Sequence, residues 1–402
     1  MSKNKRLSAA GTRPRLNTMA SVVSLATVCF FSGVSLAQEE PKPRSAPNAD
    51  VLDAATWKQV DTSVERGLEW LVTQQKADGS FKTMKIGQPG VTAFCVMAFL
   101  AQGKTPLDKE YGPAISKAID FICGQQKRNG LLATTAPNIV PIPRVPNSQH
   151  VKNMPVVYNH AIAALALSEA YGQCEHEQAE RIGAVIEKAV AATLEMQSWR
   201  KDPMDQGGWR YLGKPYRDDS DLSITGWQLM FLRSARNAGF DVPDQNIKQA
   251  VTYIEKCFQK KLGAFTYCSR HPRTVSRAMV GAGVLAMAHA SKHESKMASD
   301  ASDWILSRDF SQFNHEPTCQ IEWQDDRYNY GVFLCTQAMY QQGGKYWERF
   351  YPPVVKAIVG AQTANGSWPP EPTDEDFGNA YTTALCILSL SVSDQMLPIF
   401  QR

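Results

Sequence analysis

Residues Arg217-Asp-Asp-Ser-Asp221 put one guanidinium and three carboxylates into five positions, directly ahead of the apolar stretch Leu222–Leu232. Crowded carboxylates that leave water hold their protons to higher pH, which general-acid chemistry requires. The same residue types are also what a helix start takes, since Asp and Ser accept the first free backbone N–H groups. A helix N-terminus favours the anion and so works against an acid. For Asp218, Asp219 and Asp221 both readings, acid and cap, stay open. Arg270, Arg273 and Arg277 stand before the next apolar stretch. They suit a diphosphate or carboxylate, or a solvated rim paired with Asp325 and Asp326. Cys268-x-x-His271 and His315-x-x-x-Cys319 have tolerable zinc-ligand spacing. Such pairs arise often by chance, so the expectation is no metal and no cofactor, with Cys268, His271, His315 and Cys319 as the weaker alternative. His160 reads as a rim base or as a satisfied structural histidine. Trp209, Trp227, Phe231, Tyr158, Tyr330 and Tyr381 offer aromatic faces, or simply core.

The elements that position these residues repeat. Gln75-Lys-Ala-Asp-Gly-Ser-Phe81 and Gln362-Thr-Ala-Asn-Gly-Ser-Trp368 are two copies of one loop, each between an amphipathic stretch and an apolar one. Self-similarity of this kind signals a repeat architecture. The pattern predicts six helix pairs: 57–75 with 91–102, 111–126 with 158–171, 178–197 with 221–238, 244–258 with 274–290, 295–307 with 328–342, and 351–362 with 381–392. Degenerate copies of the loop fall at Gln126, Gln197 and Gln259. A Gln amide at the end of the first helix can satisfy its free carbonyls, and Gly79 and Gly366 permit the reversal. Asp244 reads as an N-cap, and Gly103, Gly172, Gly239 and Gly343 as C-caps. No alternating strand pattern competes, so the class is all-α. One-sided helices can face water, whereas helices apolar all round must be buried. Six of each, alternating, predict an (α/α)6 toroid, with six inner helices forming a barrel and six outer helices wrapping it. The loops before the inner helices then share one rim.

On these motifs the chain resembles the squalene cyclase and protein prenyltransferase (terpenoid cyclase) repeat superfamily. Gln75…Asp78-Gly-Ser-Phe81 and Gln362…Asn365-Gly-Ser-Trp368 are similar to its Gln-Trp repeats, and Ala93 and Thr382-Thr-Ala384 to the small-residue starts of its inner helices. The resemblance covers roughly residues 55–395. It implies an α/α toroid with an apolar central pocket that acts on or binds an isoprenoid or other lipid, although squalene cyclases use two barrels and this chain has the repeats for one. Asp219-Ser-Asp221-Leu222 resembles the Asp-x-Asp-Asp of protonating cyclases, with Leu222 in place of the last carboxylate. The resemblance would make Asp221 the acid, Asp219 its partner, and Trp209, Trp227, Tyr158, His160, Arg217, Arg270, Arg273, Tyr330 and Tyr381 the ligand contacts. The Asp-x-Cys zinc motif of the prenyltransferases is missing. A non-catalytic toroid holding a lipid, glycan or peptide is the alternative, and a polysaccharide-processing toroid rests on fold analogy alone. Cys123-Gly-Gln-Gln126 also resembles the thioester of complement proteins, without its Glu.

Lys3, Lys5, Arg6, Arg13 and Arg15, the apolar run 19–31 and Ser35-Leu-Ala37 read as a signal peptide over 1–37, or as an uncleaved anchor. Residues 38–52 read as a linker and 53–396 as the toroid domain. Export to the periplasm or outside follows, with the membrane involved only through that first segment. The formal charge of +4 comes from 43 basic and 39 acidic residues. Taking away the five basic residues of the first segment leaves 38 against 39, a net of −1. A near-neutral body excludes nucleic acid as a partner on electrostatic grounds. Cys95, Cys335 and Cys386 lie in apolar runs and read as free buried thiols, while Cys257, Cys268 and Cys319 are the better disulfide candidates.

Overall fold

The computed structural model describes residues 49–135, 155–212, 219–270, 275–314 and 326–401. Twelve helices run through them: α1 Ala54–Thr73, α2 Gly90–Leu100, α3 Gly112–Gly124, α4 Pro155–Ala170, α5 His176–Ser198, α6 Leu222–Asn237, α7 Asp244–Lys256, α8 Arg277–His289, α9 Lys296–Leu306, α10 Tyr328–Gln342, α11 Gly344–Gly360 and α12 Gly378–Leu390. Their sequences explain their places. In α7 the buried residues are Ile247, Ala250, Val251, Tyr253 and Ile254, one stripe at helical spacing. In α2 every residue is buried. The even-numbered helices touch in succession, and α12 returns to α2. The barrel is therefore closed, as the alternation of amphipathic and apolar helices requires. Residues 1–37, expected to be a signal, and most of the expected linker 38–52 lie outside the described residues.

Gln side chains join the repeats. The amide of Gln75 donates to Gly79 O at 3.1 Å and to Ala114 O of the next outer helix at 2.7 Å. Gln126 does the same to Gly130 O and Val185 O, Gln197 to Gly207 O and Asn246 O, and Gln362 to Gly366 O and Ser63 O. The last of these ties the sixth pair to the first. This corrects the expected role, because the amide serves the neighbouring helix rather than the carbonyls of its own. It also gives Gln126 the amide role of the repeat. At each joint the glycine has φ between 86° and 95°. A Cβ there would sit 2.2 Å from Lys117 O, 2.2 Å from Lys188 O, 2.3 Å from Gln249 O or 2.5 Å from Arg66 O. Gln259 departs from the pattern, pairing with Ala264 in a two-stranded turn instead.

Two expected boundaries shift. Helix α11 begins at Gly344 rather than residue 351, because Gly343 at φ 67° turns the chain directly out of α10. It carries Pro352 and Pro353 on its outer side, where a missing N–H bond is least costly. Asp244 opens α7 without capping it, and its carboxylate pairs with Arg236. Cys95, Cys335 and Cys386 are free buried thiols, and so is Cys257, while Cys268 is buried too. Cys319 lies outside the described residues.

The far end of the barrel is floored by the C-terminal residues. Leu397, Ile399 and Phe400 are buried, and Phe400 meets Phe333 with ring centroids 6.0 Å apart. The N–H of Ile399 donates to Glu169 Oε2 at 3.2 Å, and Ser234 Oγ donates to Oε1. Burial lifts the Glu169 carboxyl from 4.5 to about 7. A raised carboxyl pKa contributes stability that is complete below the unfolded value and is lost as pH climbs through the folded one. Glu169→Gln is therefore expected to shrink the loss of stability between pH 5 and pH 8 by about 3 kcal/mol. Chemical denaturation of both proteins at the two pH values measures this, and parallel losses would refute it.

Candidate functional site

The joint that closes each repeat also aims residues at the barrel axis. The N–H after each loop donates to a fixed inner-helix position: Phe81 to Thr92 Oγ1, Leu132 to His160 Nδ1, Trp209 to Thr225 Oγ1 and Trp368 to Thr383 Oγ1, all at 3.0–3.1 Å. Residues two before these acceptors are Gly90, Tyr158, Ser223 and Tyr381. All four line one cavity of about 540 Å³ at the loop end of the barrel. Residues two after, Phe94, Ile162 and Trp227, line it as well. Tyr330 on α10, Tyr211 and Tyr267 from loops, and Phe377 ahead of α12 complete an aromatic wall. Val91, Val275, Ala278 and Met279 supply an aliphatic one.

Asp221 caps α6, accepting Ile224 N–H on Oδ1 at 2.7 Å. Tyr267 donates its hydroxyl proton to Oδ2 at 3.0 Å, and Tyr211 and Tyr267 share a bond of 2.9 Å. Arg210 donates to Asp219 at 2.7 Å, and its Nε stands 3.8 Å from Asp221 Oδ2. Burial raises the Asp221 carboxyl to about 6 against the pull of Arg210 and its hydrogen bonds. The carboxyl is fully buried and meets the cavity through Tyr267. Arg327, on the wall, donates to Asp374 at 2.6 Å. Trp227 Nε1–H donates to Tyr330 Oη at 2.7 Å, and Tyr330 lies 3.1 Å from Ser223 Oγ.

Of the expected contacts, Tyr158, Trp227, Tyr330 and Tyr381 stand on the wall. Others belong to the framework. Trp209 Nε1–H donates to Thr193 O, so this ring locks a joint. His160 replaces the usual Thr of the joint. Its Nδ1 accepts from Leu132, so Nε2 holds the proton and donates to Thr193 Oγ1, which donates on to Gln228. Burial holds its pKa down to about 4, and it is not a rim base. Arg270 pairs with Asp205. Phe231 is buried edge-on against His160. Arg277 pairs with Asp326 at 3.1 Å in the interior rather than on a solvated rim. Asp218, Arg217, Arg273, His271, His315, Cys319 and Asp325 lie outside the described residues. Among those described, no cluster of three His, Cys, Asp or Glu side chains is placed to hold a metal. Tyr211, Tyr267, Ser223, Phe94, Phe377 and Arg327 were not foreseen. Aligning the joint acceptors would have found Ser223 and Phe94, but the loop residues carry no periodic signal.

No protein-family model matches the sequence, and neither does any curated protein. Solved structures do match in fold. The apo type II terpene cyclase MstE from Scytonema is 14% identical over 85% of this chain and 100% of that one, at TM-score 0.52. An inactive variant of a Salegentibacter α-1,6-mannanase in complex with α-1,6-mannotriose is 12% identical over 84% and 99%, at 0.53. A glycosidase in complex with glucose is 10% identical over 86% and 100%, at 0.55. The chain is an α/α toroid like these proteins, and at such identity the likeness extends to the fold alone.

Proposed function

We propose that the cavity holds an apolar, lipid-like ligand, an isoprenoid being the leading class. The observation that carries this reading is the wall, where eight of its twenty described residues are aromatic and aliphatic side chains fill much of the rest. Its volume falls within the ~300–1,000 Å³ of small-molecule sites. A glycan site needs polar groups free to meet sugar hydroxyls. Asn159, a polar side chain on the wall, already donates to Ile86 O and Gln88 O. The toroid of MstE supports the reading by analogy of fold only. The basic start and apolar run of residues 1–37 support export, testable by N-terminal sequencing of the mature protein. Native mass spectrometry of the intact protein tests the ligand: a co-purifying lipid-like molecule is expected. Met279→Trp, which fills the cavity, should remove it. Retention of the same molecule by this variant refutes the site.

A second reading is acid-initiated isoprenoid cyclisation with Asp221 as the proton source and Asp219 as its partner. The specific observation in its favour is a buried carboxyl raised to about 6 and hydrogen-bonded to a wall residue. Turnover should then fall at least ~100-fold in Asp221→Asn, with squalene and geranylgeranyl diphosphate as probes and product analysis as the readout. Absence of any Asp221-dependent product leaves the binding function.

A further inference from the structure

Asn159 on α4 stands on the wall of the cavity and is 6% exposed. Its amide nitrogen has two hydrogens to give, and both are spent. Nδ2 donates to Ile86 O at 2.8 Å and to Gln88 O at 2.9 Å. That fixes which way round the amide lies, because the oxygen in the same place would face two carbonyls. Oδ1 is therefore an acceptor that cannot be exchanged for a donor. Among the described residues it takes no hydrogen bond, yet it is not sealed in the interior. A buried residue on a cavity wall with an open oxygen presents that oxygen to the cavity.

Two features of α2 point to the same spot. A Cβ on Gly90 would sit 2.4 Å from Asn159 Oδ1. Gly90 does not have a positive φ, so the backbone does not call for glycine, and a side chain there would cover the oxygen. Gly90 also opens α2, and the first N–H groups of a helix have no partner within it. Among the described residues none takes the N–H of Gly90 or Val91, both of them buried on the wall. One acceptor and two donors without partners thus lie together at the start of α2. Tyr267, Tyr211, Ser223, Tyr330 and Arg327 already have partners within the protein. Tyr381, on the wall from α12, shows no such partner among the described residues, but a phenol can turn to give or to take. Asn159 Oδ1 can only take, so it sets what a ligand must offer.

We infer that Asn159 Oδ1 is the polar anchor of the cavity and that its ligand is an alcohol, an apolar body bearing a hydroxyl that donates to Oδ1 and accepts from the N–H of Gly90 or Val91. The inference rests on the reading that the cavity takes an apolar ligand, and it names that ligand's head group. A hydroxyl both gives and takes. An ether or a carboxylate only takes, and leaves Oδ1 desolvated without a donor. A single anchor suits one hydroxyl on an apolar body and not the many of a sugar.

Calorimetric titration of the full chain with decanol, methyl decyl ether and decanoate, at pH 8, compares three head groups on one tail. Decanol is expected to bind about tenfold or more tighter than either of the others. Gly90→Ala, whose methyl group covers or displaces Oδ1, should bring decanol to within about twofold of the ether, and Asn159→Leu should do the same. Thermal unfolding shows whether each variant is folded, and the comparison in the parent stands without them. Ether or decanoate bound as tightly as decanol by the parent overturns the inference and leaves the apolar-cavity reading in place, as does the full preference kept by a folded variant. Binding of none of the three overturns both.

Discussion

Gly366→Ala is expected to destabilise the protein by about 3 kcal/mol or more, because it strikes the seam where the ring closes. Gly366 has φ 93°, and a Cβ on it would sit 2.5 Å from the backbone oxygen of Arg66, on the first outer helix. Backbone cannot give way as a flexible side chain can, so the loop must withdraw. Withdrawal stretches the bond from Gln362 to Ser63 O, now 2.7 Å, and those from Arg66 to Thr363 O and Ala364 O, at 3.0 and 2.9 Å. These bonds join residues almost three hundred positions apart. Gly360→Ala is the control: it lies at the end of α11, and a Cβ there meets nothing within 4 Å. It should raise stability by up to ~1 kcal/mol through helix propensity alone. Urea unfolding of both variants decides the matter. Equal midpoints would show that the seam carries no special strain.

Asp326→Ala is expected to cost about 3–5 kcal/mol, the usual penalty for leaving one partner of a buried ion pair behind. Arg277 is 1% exposed and Asp326 7%. The carboxylate takes Arg277 N–H at 3.0 Å and Nε–H at 3.1 Å, and the guanidinium lies 5.4 Å and 5.3 Å from the Phe310 and Tyr328 ring centres. Removing the carboxylate strands a cation in this aromatic slot. A double variant carrying Arg277→Met and Asp326→Leu should recover most of the loss, because both desolvation penalties then vanish together. A single variant as stable as the parent would show that the pair is not buried in solution.

Much of the architecture was legible in residue order. The two loops ending in Phe81 and Trp368 showed the repeat, and helices that are apolar all round demanded a closed barrel. The degenerate copies were harder. Gln126 and Gln197 keep their joints although Leu132 stands in for the aromatic in one, and Gln197 lies 10 positions from its glycine in the other where Gln126 lies 4. What a joint requires is an amide and a glycine free of Cβ, not the full motif. The site was less legible. Trp209 and His160 have the residue types of ligand contacts, yet the repeat consumes both as framework.

Sequence by itself determined the all-α class, the number of helix pairs and which helix of each pair is inner, because these follow from local periodicity and from glycine and glutamine at fixed offsets. Tertiary structure alone decided that Asp221 faces Tyr267 rather than the lumen, that Arg277 is sunk beside Asp326, and that Tyr211, Tyr267 and Arg327 share a wall. Those relations join loops and helix starts distant in the chain. They depend on how far each helix is rotated about its own axis when the ring closes, and no local pattern encodes that angle.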